Sequence, residues 1–262
     1  MKQLTPEQIV NNWNELIQLI EGEFDGERKE KLLEMYKYFE DRMSIAPASG
    51  KEHYHNAYVG GYVEHVLHVY RCAVSIKQQW EEKGATINFT DEELAMAAIH
   101  HDLGKVGDLY NEYYTPNESD WHRKNQGLIF SHNGDLQFMT VTDRALFLLQ
   151  HFGIPLTENE YIGLRLTDGL YEEANKPYYI GYSPDRQLKS NIAYILHQAD
   201  SMATHIEYDM WKRGEEKITK NIKQVVAKEV KKVEKEEKVV TKGANDLFDE
   251  LFGDMEIGRA HV

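Results

Sequence analysis

The stretch AAIHHDLGK, residues 97–105, sets two histidines, an aspartate and a lysine at the end of an apolar run with helical spacing. His101 and Asp102 together offer an imidazole nitrogen and a carboxylate oxygen, the donors of a divalent-cation site. On their own, an adjacent His and Asp are a weak signal, and a solvated helix end is the default reading. Three further features point to the metal. GGYVEHVLHV places His65 on an otherwise apolar helix face upstream of HDLGK, and ILHQADSMATHIE places Asp200 inside a helix on or beside an apolar face. A carboxylate there is costly unless it is paired or bound to a cation. Gly104 stops the helix and lets the chain turn sharply after Asp102. His65, His101, Asp102 and Asp200 thus bring two imidazoles and two carboxylates from three helices. Such N/O donors suit Mn, Fe, Co, Ni or Zn, and the choice among them is not legible from ligand type. An ion that prefers six ligands keeps positions for water and substrate. It lowers the pKa of bound water from ~16 towards ~7 and polarises a phosphoryl oxygen.

Helical elements are expected to position these groups. Thr5-Pro6-Glu7-Gln8 reads as an N-cap followed by proline at the first helical position, with apolar residues continuing to Ile20. A second helix is expected from about Glu27 to Met43. Gly60-Gly61 leads into a periodic run ending near Trp80. Thr90–Glu93 and Thr157–Glu160 both read T-x-x-E, a capping box. The first opens the helix that carries His101. A last core helix is expected over Gln187–Trp211. Strand signals are sparse, so the fold class is all-α. The polar, aromatic stretch Tyr110–Asn125 is expected to be a loop or lid.

The 262 residues, 41% of them hydrophobic, suffice for one sizeable domain with appendages. A net charge of −14 argues against a general duplex-DNA binder. Cys72 is the single cysteine, which excludes a disulfide framework and a thiolate zinc site and suits a reducing cytosol. MKQLTPEQIVNNW has no apolar core like that of a signal peptide, and no apolar run is long enough to span a bilayer. No membrane role is expected. The expected organisation is N-terminal helices over 1–45, the metal-bearing domain over 46–214 and a Lys/Glu/Val-rich linker or helix over 215–242. An acidic, aromatic tail follows over 243–256. In it NDLFDELFGD, residues 245–254, carries Leu247, Phe248, Leu251 and Phe252 on one helical face. That face either folds back on the core or docks into a partner protein. It resembles the tail peptides with which some phage replication proteins grip a sliding clamp, which would place the chain in a host cytoplasm. IGRAHV resembles a sequencing adapter translated in frame, so residues 257–262 are expected to be a non-native end.

The pattern H…HD…D in a helical chain resembles the HD-domain phosphohydrolase superfamily over roughly residues 54–210. YHNAYVGGYVEHVLHV, HHDLGK and LHQADSMAT are similar to its first ligand helix, central motif and last ligand helix. The resemblance implies an HD-type helical bundle in which His65, His101, Asp102 and Asp200 bind metal. It also implies that Lys105 contacts phosphate and that His197, from the L-H-x-A-D pattern, serves in proton transfer. Many relatives hold a second metal with two more histidines, in whose places this chain has Val141 and Thr167. One metal is therefore expected, although His132 and His151 could stand in for the missing pair, and each has a plainer role as a surface or supporting histidine. His68, one turn after His65, is a candidate supporting residue.

Arg123, Lys124, Arg144 and Arg165 are candidates to hold a phosphate, and singly each reads as a surface cation. Trp121 and Tyr110 could stack on a base or simply anchor a loop. His100 is expected to point away from the site. No Walker glycine loop, G-x-S-x-G elbow or cysteine-nucleophile context is present. The expected activity is hydrolysis of a small phosphorylated substrate, a nucleotide or short phosphodiester. The alternatives are a di-iron HD oxygenase, which needs the second metal, and a non-catalytic adaptor acting through its tail.

Overall fold

In the computed structural model, residues 3–181 and 183–213 are described. The expectations for residues 215–262, including the docking peptide, lie outside them. Thr5 caps α1 (Pro6–Glu23): its hydroxyl accepts from the Gln8 amide, and the Gln8 side chain returns a bond to the Thr5 amide. Helix α2 (Gly26–Met43) follows after two extended residues, Phe24 and Asp25. Trp13, Leu16 and Ile20 of α1 and Leu32, Met35, Tyr36, Phe39 and Met43 of α2 are buried in the same core as the later helices. The α2 residue Arg28 reaches across that core, to Glu160 at 2.5 Å and Glu92 at 2.9 Å.

The central pair is α3 (Gly61–Glu82) and the last described helix, Ile192–Arg213. Between them lies α4 (Asp91–His100), opened by the Thr90/Glu93 capping box. Every residue from Leu94 to His100 is buried, as an apolar, alanine-rich run should be when other helices surround it on all sides. After α4 the chain turns through a 3-10 segment, Leu103–Val106.

The stretch 110–125 is more structured than a loop. It contains β1 (Tyr114–Pro116) and the short α5 (Asp120–Gln126), and β1 pairs antiparallel with β2 (Phe130–His132). Pro116 sits at the strand's end, where its missing N–H costs no ladder bond. Apart from this two-stranded sheet and one isolated bridge between Lys51 and Leu128, the regular structure of the described residues is helical. Helix α6 (Val141–His151) packs on the 3-10 segment, and α7 (Glu158–Arg165), opened by the Thr157/Glu160 box, packs on α4. A short α8 (Lys176–Tyr179) precedes α9, the helix Ile192–Arg213. Helix α9 begins later than the expected Gln187. Pro184–Arg186 forms a 3-10 turn, and Asn191 donates to the Thr86 carbonyl instead of continuing a helix backwards. No described helix is long and apolar enough to cross a membrane.

Gly104 has a different use from the one expected. Its φ is not positive, but a Cβ there would lie 2.0 Å from the Val141 carbonyl oxygen. The missing side chain lets the turn after Asp102 abut the start of α6.

Candidate metal centre

Three elements bring the four sequence-expected ligands together. His65 comes from the second turn of α3, His101 and Asp102 from the end of α4, and Asp200 from the middle of α9. The His65 Nε2 lies 3.6 Å from Asp102 Oδ2 and 3.4 Å from Asp200 Oδ1. The His101 Nε2 lies 3.5 and 3.8 Å from the same two oxygens.

Ring tautomers follow from what each Nδ1 faces. His101 Nδ1 is 2.8 Å from the Ala98 carbonyl, which can only accept, so Nδ1 carries the proton and Nε2 the lone pair. His65 Nδ1 donates to Glu207 Oε2 at 3.0 Å. Both Nε2 atoms are buried and have no hydrogen-bond partner. Imidazoles oriented through Nδ1 on a carbonyl or carboxylate, with Nε2 free, are the arrangement of metal-ligating histidines.

His100, next in sequence, behaves otherwise. Its Nδ1–H donates to the Met96 carbonyl at 2.8 Å, and Tyr36 donates to its Nε2 at 3.2 Å. Burial pushes this ring down to about 4, and it is a satisfied core histidine turned away from the site.

The electrostatics favour charged carboxylates. Burial opposes ionisation of Asp102, but Lys105, His101 and His65 outweigh it and hold the carboxyl well below its usual range. Asp200 is lowered in the same way by His65 and His101. Burial would depress His65, yet Glu207 and Asp200 lift it to about 10, so without an ion the ring holds a second proton on Nε2, which a metal would displace on binding. The Lys105 ammonium is 2.6 Å from Asp102 Oδ2 and stays protonated despite burial.

The donor set fits one divalent ion. Bonds of about 2.0–2.2 Å to nitrogen and oxygen separate tetrahedral neighbours by roughly 3.4 Å and octahedral ones by roughly 3.0 Å. The observed gaps of 3.4–3.8 Å begin at the tetrahedral spacing and exceed it by up to about 0.4 Å, so the ligands would close in slightly around an ion. His65, His101 and Asp200 present ligand atoms within 4.8 Å of one another, as do His55, His65 and Asp102.

The other expected residues disperse. His68 donates from Nδ1 to Glu207 Oε1 at 2.8 Å and so supports the carboxylate that orients His65. His197 donates from Nδ1 to the Thr167 carbonyl at 2.8 Å. Thr167 is buried, its hydroxyl donating to the carbonyls of Gly163 and Leu164 within its own helical turn. His132 is exposed at the end of β2 against Tyr113 and Tyr114. His151 is exposed at the end of α6 against Phe147 and Phe152.

Among the cations, Arg123 pairs with Asp120 and donates to the Asn117 carbonyl, while Arg165 donates to Asn175. Lys124 is exposed on α5. Arg144 is buried, donating to the Gln137 carbonyl at 2.7 Å. Among the described residues none of the four is hydrogen-bonded or ion-paired to the ligand set.

Sequence reasoning missed three residues. Glu207 lies 142 positions from the His65 it holds. The only cue was THIE, a glutamate two turns after Asp200 on the same face. Asp168 is raised by burial and by the charges of Asp102 and Asp200, so it belongs to the same acidic surroundings. His55 packs its ring 4.5 Å from that of His65.

Comparison of the chain with protein-family models, with curated proteins and with solved structures finds no match in any of the three. The chemistry of the centre therefore rests on its own geometry.

Proposed function

We propose that the chain is an HD-type, metal-dependent phosphohydrolase acting on a nucleotide or short phosphodiester. The observation that carries this reading is the pair of buried, unpartnered Nε2 atoms of His65 and His101 facing Asp102 and Asp200. Those four residues would hold one divalent transition metal (Mn, Fe, Co, Ni or Zn). When bound, such an ion acidifies a coordinated water and polarises a phosphoryl oxygen.

The chain's own groups have distinct tasks. Glu207 and the Ala98 carbonyl hold the two imidazoles by Nδ1–H, so that Nε2 is the atom turned towards an ion. Lys105, buried beside Asp102, presents a fixed ammonium to a phosphoryl oxygen, worth about 2–4 kcal/mol for a well-placed donor. His197 is fixed through Nδ1 on the Thr167 carbonyl, so Nε2 is the atom that would take up a proton from solvent and, as imidazolium, pass it to the leaving oxygen. Cys72, the single cysteine, is buried and free, which suits work in a reducing cytoplasm.

The test is product release from a panel of nucleotides and phosphodiesters with Mn²⁺ or Co²⁺, comparing wild type with Asp102→Ala. The expected result is turnover of at least one substrate and a loss of about 100-fold or more in the variant. Silence across the panel from folded, metal-loaded protein overturns the reading.

A further inference from the structure

We infer that His55 is a fifth protein ligand of the metal centre, its Nε2 approaching the same ion as His65 and Asp102. The inference rests on the metal reading above and extends it to a residue outside the H…HD…D pattern.

Three observations carry it. The His55 Nε2 is buried and has no hydrogen-bond partner, the condition otherwise met among the described histidines only by His65 and His101. A ligand atom of His55 lies within 4.8 Å of one on His65 and one on Asp102. Its ring is also nearer to His65, at 4.5 Å between centroids, than the ring of His101 is, at 5.4 Å. A merely structural histidine in this core looks like His100, whose two nitrogens both have partners. Buried polar atoms left without partners are disfavoured. His65 belongs to both candidate ligand groups, one with His55 and Asp102 and one with His101 and Asp200, and a single cation at His65 would give all three open nitrogens a partner.

The backbone holds His55 in place. Ser49 donates from its hydroxyl to the His55 carbonyl at 2.7 Å. The next residue, Asn56, adopts φ 47°, a left-handed conformation that asparagine tolerates. Its carbonyl accepts from the amides of Ala48 and Tyr58, at 3.1 and 2.9 Å. Helix α3 comes up against this turn because Gly61 has no side chain: a Cβ there would lie 2.1 Å from the Asn56 oxygen. The loop is thus pinned against the first turn of the helix that carries His65.

Three nitrogens and two oxygens make a donor set that favours Zn, Co, Ni or Fe over Mg or Ca. The experiment is titration of the full-length protein with Co²⁺, read by the visible d–d spectrum and by competition with a chromophoric chelator. Wild type, His55→Ala and His101→Ala are compared. The expected result for His55→Ala is a changed cobalt spectrum and an affinity lowered by about tenfold or more. Added imidazole should return the spectrum towards wild type. If His55→Ala does not fold, His55→Gln takes its place, with the same change in spectrum and affinity expected. A His55 variant with wild-type spectrum and affinity, while His101→Ala loses both, overturns the assignment of His55 and leaves the four-ligand centre standing. Wild-type protein that takes up no Co²⁺ overturns both.

Discussion

Two imidazoles share one carboxylate in this centre: His65 donates to one oxygen of Glu207 and His68 to the other. Burial works against the charge on Glu207, but His65 and His68 hold its carboxyl far below the usual range. The pairing matters beyond charge. A carboxylate can accept on both oxygens, whereas a glutamine offers one acceptor and turns an amide N–H₂ towards the other ring. In Glu207→Gln one imidazole must therefore change tautomer. If that ring is His65, the proton moves to Nε2 and blocks the ligand atom. We expect Glu207→Gln to weaken metal affinity by about 10- to 100-fold without changing stoichiometry. Glu207→Ala should also destabilise the metal-free fold by about 1–3 kcal/mol for each imidazole N–H left without an acceptor. Chelator competition and chemical denaturation measure the two effects. Unchanged affinity in both variants would show that Glu207 does not orient the site.

The elements that carry the ligands are tied at their ends by polar contacts, and Glu93 is the clearest case. It completes the cap of α4 by accepting from the Thr90 amide at 2.9 Å. It also accepts from Thr157 at 2.7 Å and Asn159 at 3.0 Å, at the start of α7. Burial raises its carboxyl, but these bonds and the Arg28 charge outweigh that effect and set it below the usual 4.5. The unfolded chain therefore takes up this proton more readily than the folded one. The linked stability is complete above the unfolded value and is lost as pH falls through the lower, folded one. Glu93→Gln should cost about 1 kcal/mol near neutral pH. Its deficit relative to wild type should shrink as pH drops below 4.5, measured by urea unfolding across the acid range. A deficit independent of pH would mean that the carboxylate's charge plays no part.

Much at this scale was legible in advance. The two T-x-x-E boxes are local signals, with all partners within one turn, and both open helices where expected. The pairing of β1 with β2 was not legible, since three-residue strands leave no alternation to read and one of them contains Pro116. His55 and Glu207 escaped for a different reason. Each matters only through a neighbour on another element, and no spacing rule links a loop before α3, or the far end of α9, to His65. Their polar atoms identify them only once the burial around them is known.

At the scale of the whole molecule, the centre concentrates charge inside an already acidic chain of net charge −14. Asp102, Asp200 and Glu207 are held ionised in or beside the core, facing His65, His101, His68 and Lys105. A divalent cation would join α3, the end of α4 and α9 through groups that otherwise repel one another. Binding to the folded state alone adds about 2.7 kcal/mol at a hundredfold excess over the dissociation constant. For a folded region of this size that is roughly 5–10 °C in melting temperature. We expect Zn²⁺ or Co²⁺ to raise the melting temperature by that amount and a chelator to remove the gain. An acidic surface would bind any divalent ion loosely, so Mg²⁺ at equal concentration is the control and should give little of the shift. Asp200→Ala should lose the transition-metal increment, because its carboxylate is the direct ligand that α9 would offer. An equal shift with Mg²⁺, or an undiminished one in Asp200→Ala, would place the stabilising ion on the acidic surface and not between the three helices.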